Sequence, residues 1–210
     1  MTQIESREEA IEASSNTVMS FLKLFVSPYM SKAHFFLDFI VQPPLILFGI
    51  MWGLYTNTQH SIFTALAMVP FGFSVWTLAE YLTHRFILHK VPMLSKMHQA
   101  HHDETMELIG TPTPVSLVVL FTLVFWPASI VLGYSLVWLW FAGFLIGFIG
   151  YTFVHYAVHH LSSGGYAFMK RLKWQHNVHH HGSSNFNFGV STAFWDHVFR
   201  TYSARIRDVI

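Results

Sequence analysis

Four long stretches of this chain are almost free of charge, and between them polar and ionisable residues crowd together. Phe39 to Gln59 has no charged side chain and is long enough to cross a bilayer, which takes about 20 residues in a helix. Pro43 and Pro44 are expected to kink its start or to lie just ahead of its regular part. Ile62 to Leu82 carries only Glu80, near its far end. Leu108 to Val154 is charge-free throughout, and Gly133-Tyr134-Ser135 reads as a turn between two further spans, Val115–Leu132 and Leu136–Val154. The second of these is expected to run on as helix into His155 and His159. The pattern predicts an all-α integral membrane protein of four transmembrane helices, arranged as two hairpins.

The segments around the spans complete one domain over residues 1–210. Residues 1–33 form an N-terminal segment. Within it, Glu5, Glu8, Glu9 and Glu12 suggest a solvated tail or frayed helix without the marks of a signal peptide, and Phe21-Leu-Lys-Leu-Phe-Val suits either an interfacial helix or a packed connector. The first hairpin takes 34–82, a histidine-rich connection 83–114, the second hairpin 115–160 and a histidine-rich cap 161–210. In the cap, Ser162–Gly165 gives turn signals, and Asn185-Phe-Asn-Phe-Gly189 reads as a loop before a short final element.

Charge orients this arrangement. Two hairpins put the N-terminal segment, the His84–Glu107 connection and everything beyond His155 on one side, together with all twelve Lys and Arg. The opposite loops, Thr56–Ser61 and Gly133–Ser135, have none, so the rich side, with both termini, is expected to be cytoplasmic. Composition agrees with a membrane protein: 52% of residues are hydrophobic and 11% charged, against about 25% charged in soluble proteins. The absence of cysteine excludes thiolate metal sites, iron–sulfur clusters and disulfides. A net charge of +1 without a basic stripe argues against a nucleic-acid partner. Lys170, Arg171 and Lys173 suit contact with anionic headgroups or a merely solvated face, and Trp126, Trp138 and Trp140 suit a lipid-facing belt or core packing.

Twelve of the fifteen histidines fall in four clusters, all on the predicted cytoplasmic side. His98, His101 and His102 follow the i, i+3, i+4 spacing that shares one helical face, as do His176, His179 and His180, and His155 and His159 make the shorter i, i+4 pair. His160 and His181 are swung off those faces. His84 and His89 are five apart and converge only if the helix loosens or ends between them. A lone histidine is more often a hydrogen-bonding residue than a ligand, but four clusters at ligand spacing point to metal. Ten ligands exceed the needs of one ion and suit two metals with open positions.

The motifs resemble the membrane fatty acid hydroxylase and sterol desaturase superfamily. Glu80-Tyr-Leu-Thr-His-Arg-Phe-Ile-Leu-His89, Lys173-Trp-Gln-His-Asn-Val-His-His180 and Phe188-Gly-Val-Ser-Thr-Ala-Phe-Trp-Asp196 are most similar to its fatty acid 2-hydroxylase branch. The likeness runs from about Trp76 to Phe199. It implies metal ligation by His84, His89, His98, His101, His102, His155, His159, His176, His179 and His180. It also implies two iron ions as cofactor, with zinc as an alternative occupant of purified protein, molecular oxygen as co-substrate, a lipid or fatty acyl substrate, and electrons from a separate donor protein. The expected reaction is hydroxylation of an acyl chain, most plausibly at C2, because an unactivated C–H bond yields only to oxygen activated at a redox metal. Alternatives are a desaturase or a sterol or carotenoid hydroxylase of the same superfamily, and a non-catalytic zinc-stabilised membrane protein. An all-imidazole ligand set is neutral, which makes Glu80 and Asp196, and less so Asp103 and Glu107, candidates to orient and balance it.

Overall fold

The computed structural model describes residues 29–182 and 185–204, so the acidic stretch 1–17 and the Phe21–Val26 segment lie outside the described residues. The described residues form helices, with no strand beyond one isolated antiparallel bridge between Tyr29 and Ile109. Helix α1 (Lys32–Phe36) starts where Ser31 Oγ accepts the His34 amide, and α2 (Asp38–Thr56) follows almost at once. Pro43 and Pro44 lie inside α2, neither ahead of it nor ending it. Past the first turn they remove the bonds to the carbonyls of Phe39 and Ile40 and crowd those carbonyls with their rings, so the helix must bend there to keep them. Helix α3 (Ile62–Leu82) is capped by Ser61 Oγ on the Thr64 amide and runs on through a π-helical turn, Thr83–Leu88. Helix α4 (Pro92–Asp103) opens on proline, whose missing amide costs nothing at a first position.

The third span is α5 (Thr113–Val119) and α6 (Trp126–Leu132), joined by a second π-helical turn, Leu120–Phe125. Pro127 accounts for the widening: in α-helical register its ring would strike the Leu123 carbonyl, and the Trp126 amide reaches back to Phe121 instead. The expected three-residue turn shrinks to Gly133 alone, at φ 75°, and the long α7 (Tyr134–His160) resumes at Tyr134. Helix α8 (Ala167–His181) and the short α9 (Phe194–Val198) form the cap. Four apolar helical stretches are long enough to cross a membrane: Lys32–Thr56, Ile62–Leu88, Thr113–Leu132 and Tyr134–His160.

Helix α7 is the buried element, packed against both α2 and α3, with Val137, Leu139, Phe141, Phe144 and Leu145 almost sealed. It crosses α3 closely because each helix offers a glycine to the other's backbone: a Cβ on Gly72 would collide with the Trp140 carbonyl, and one on Gly143 with the Val69 carbonyl. Small residues at such crossings are how helices pack where lipid tails are as apolar as the side chains. Outward apolar side chains such as Phe63 and Val131, each 82% exposed, suit a lipid surround. The tryptophans divide between the two expected roles, Trp126 facing outward, Trp140 buried beside Phe144 and Trp138 half-buried against Phe125.

Candidate metal centre

The histidines reach one another because four elements end at the same face of the bundle. The turn after α3 settles the spacing of His84 and His89. A π-helix closes its backbone bonds between residues five apart, and here the two rings lie 5.2 Å apart, nearly parallel. The helix loosens between them, as their convergence requires.

Ten histidines sort into two groups of five, and within each group the potential ligand nitrogens all lie within 4.8 Å of one another. One is His84, His89, His98, His102 and His179; the other is His101, His155, His159, His176 and His180. The triplets therefore do not act as triplets. Helix α4 sends the i, i+4 pair His98 and His102 to the first group and His101 to the second, while α8 sends His176 and His180 to the second and His179 to the first. A face spanning about 100° is wide enough to straddle two neighbouring centres, and the shared-face reading missed that division. The groups touch where the rings of His102 and His180 stack at 4.1 Å. His160 and His181 belong to neither group: His160 stacks on Tyr156 and His181 is exposed.

The donor set suits a cation. His84 Nδ1 lies 2.6 Å from the Phe188 carbonyl and His179 Nδ1 2.8 Å from that of Phe186, and a carbonyl can only accept. Both rings therefore carry their proton on Nδ1 and present a bare lone pair at Nε2. Those lone pairs point inward, with His84 Nε2 3.0 Å from His98 Nε2 and His179 Nε2 3.1 Å from His89 Nε2. In the second group His155 and His101 Nε2 approach to 2.9 Å and His159 and His176 Nε2 to 2.8 Å. Burial keeps the rings neutral: it pushes His101 and His179 down to about 3 and His102 to about 4, and lowers His98, His176 and His180 as well. Neutral imidazoles aimed at a common point are what a divalent transition metal binds.

The carboxylates act one step away from the rings. Glu80 is buried and accepts the amides of Val190 at 2.8 Å and Ser191 at 2.9 Å, together with the Ser191 hydroxyl. Asp196 accepts the amides of Phe188 at 2.9 Å and Gly189 at 2.8 Å and the Thr201 hydroxyl at 2.8 Å. Burial raises the Asp196 carboxyl, and these hydrogen bonds pull it back. Neither carboxylate reaches a histidine. Both fasten the loop 186–191, whose carbonyls hold His84 and His179. Asp103 is exposed and takes a bond from Gln99, and Glu107 is exposed in the following loop.

Sequence reasoning identifies Asn185–Gly189 as a loop but misses that its carbonyls hold two of the histidines. Asn187, at φ 56° and fully buried, shapes it by exchanging two bonds with the Ser203 backbone, its Oδ1 accepting at 2.9 Å and its Nδ2 donating at 2.9 Å. Its asparagine, a residue tolerant of left-handed backbone, was the one visible signal. Elsewhere Lys173 Nζ donates to the Leu161 carbonyl at 2.9 Å, seating α8 on the negative end of α7. Trp195 Nε1 ties α9 to Thr77 of α3.

Comparison with known proteins agrees with this architecture. Fatty acid 2-hydroxylase of Rattus norvegicus is 31% identical over 191 residues, covering 77% of this chain and 50% of the relative. That of Mus musculus is 30% identical over 209 residues, covering 92% and 55%. Ceramide very long chain fatty acid hydroxylase SCS7 of Saccharomyces cerevisiae is 30% identical over 190 residues, covering 85% and 48%. The chain thus spans about half the length of these relatives. The solved hydroxylase domain of full-length scs7p superposes with a TM-score of 0.73 at 26% identity, over 84% of this chain and 68% of that one. The family model for fatty acid hydroxylase matches residues 69–201, from the α3–α7 crossing to the last hydroxyl bonded to Asp196, and the chain belongs to that family.

Proposed function

We propose that this protein is a membrane lipid hydroxylase that inserts one oxygen atom into a fatty acyl C–H bond, with C2 as the position. The observation that carries the reading is the pair of five-histidine groups at the end of a four-helix membrane bundle. Family membership supports it, as do the printed activities of the relatives, fatty acid 2-hydroxylases and ceramide fatty acid hydroxylases.

The ten histidines would hold two iron ions, five rings to each, and the ions when bound would supply the oxygen activation that an unactivated C–H bond demands. The chain's own residues supply the rest. His84 and His179 are locked in orientation and tautomer by the Phe188 and Phe186 carbonyls. The Phe188 ring packs within 6 Å of His84, His89 and His179 and shields that side from water. Helices α2 and α3 and the α5–α6 span leave an apolar exterior along which an acyl chain can lie while its polar head stays near the histidines. In the overall balance one oxygen atom enters the C–H bond and the other leaves as water, using two protons and two electrons from a separate donor protein. The side bearing the site is cytoplasmic, a reading supported by Lys90, Lys96, Lys170 and Arg171, exposed at that end of the bundle.

The test is product mass. Purified protein loaded with iron, given oxygen and an electron donor, should raise the mass of an N-acyl lipid by one oxygen, with the hydroxyl at C2. Loss of two hydrogens would make it a desaturase, and full function with zinc alone would defeat the redox reading.

A further inference from the structure

The two histidine groups are held differently. In the first, His84 and His179 donate to carbonyls of the 186–191 loop. That loop is itself fixed by a one-way series of donors. Arg85 Nη1 donates to the Tyr81 hydroxyl at 2.7 Å, and the Thr201 hydroxyl donates to Asp196 at 2.8 Å, so the 2.8 Å bond between Tyr81 and Thr201 has Tyr81 as its donor. Asp196 then takes the Phe188 and Gly189 amides, and the Phe188 carbonyl meets His84. Every one of these side chains except Arg85 is buried. In the second group, by contrast, the Nδ1 atoms of His101, His176 and His180 are buried without a hydrogen-bond partner among the described residues. The groups do not differ in burial, each having two buried and three half-buried rings, so the difference lies in what holds them.

Resting on the two-metal reading above, we infer that the two positions are unequal. The His84 group is the slowly exchanging site, its ligands set by Thr201 and Asp196 as positioning residues. The His101 group, whose buried Nδ1 atoms lack such partners, is the one that gives up its metal first. Partners of metal-bound imidazoles commonly change metal affinity by about 10–100-fold, which sets the scale of the difference.

The test follows metal loss, not catalysis. The purified full chain, reconstituted in nanodiscs and carrying two iron or zinc ions, is exposed to EDTA and its metal content is followed in time. Two phases of one ion each are expected, separated by about tenfold or more. His159→Ala should leave only the slow ion and His89→Ala only the fast one. Thr201→Val should speed the slow phase while leaving the fast phase unchanged, and Thr201→Ser, which restores the hydroxyl, should restore it. Loss of both ions at one rate overturns the inference, as does a slow ion that survives in His89→Ala, or a Thr201→Val effect equal on both phases. Should either histidine variant fail to fold, the two Thr201 variants decide the matter. Failure of the wild-type protein to hydroxylate lipid would defeat the hydroxylase reading and leave these rates as they are.

Discussion

Neighbouring histidines in this chain have opposite surroundings. His180 Nε2 lies 3.0 Å from His176 Nε2 within the second group, and the adjacent His181 is exposed. His159 Nε2 faces His176 at 2.8 Å, whereas the adjacent His160 stacks on Tyr156. His180→Ala and His159→Ala should each lose about one metal ion per chain together with lipid hydroxylation. His181→Ala and His160→Ala should keep both ions. Metal content per folded protein decides, and a His181→Ala protein lacking metal beside a fully loaded His180→Ala protein would sink the assignment. This contrast was legible in the sequence, because it depends only on the angle per residue around a helix. The division of each triplet between two centres was not, since it depends on where a second helix lies. Nor were the carbonyls of Phe186 and Phe188, because the donor that orients a ring is here answered by backbone, which every residue carries.

At the level of elements, the apolar stretches fixed the number of spans, and boundaries moved only where local chemistry intervened. Beyond Leu82, where the second span was expected to end, the chain continues as a π-helical turn that brings His84 and His89 together. The i+5 spacing had already required a loosened helix there. The crossing of α3 and α7 was hidden, since Gly72 and Gly143 are two among twelve glycines. It matters because α3 carries His84 and α7 carries His155 and His159, so the depth of the crossing sets how the groups meet. Gly143→Val should push Val69 and with it all of α3 outward, at a cost of about 1–3 kcal/mol or more for overpacking against backbone. Gly150→Val, in open space on the same helix, is the control and should melt near the wild-type temperature. A thermal melt in detergent with metal content read alongside checks this, and equal melting of the two variants would show that the crossing is not tight.

For the whole molecule, charge says more than hydropathy. Four apolar helices fix only how often the chain crosses, and either orientation would pack equally well. The asymmetry lies in the ends: Lys90, Lys96, Lys170 and Arg171 are exposed at the end that holds the histidines, while the connection between α2 and α3 and the Gly133 turn carry no Lys or Arg. Positive charge is retained on the cytoplasmic side, where the proposed separate electron donor would meet the site. The chain has no cysteine, so single cysteines can be introduced without first removing others. Thr58→Cys and Tyr134→Cys, both at exposed positions, should react with an impermeant maleimide added to intact cells. Lys96→Cys and Lys170→Cys, exposed beside α4 and α8 histidines, should react only once the membrane is opened. The reverse pattern would place the histidine groups outside, away from any cytoplasmic donor, and the topology and the proposed supply of electrons would fall together.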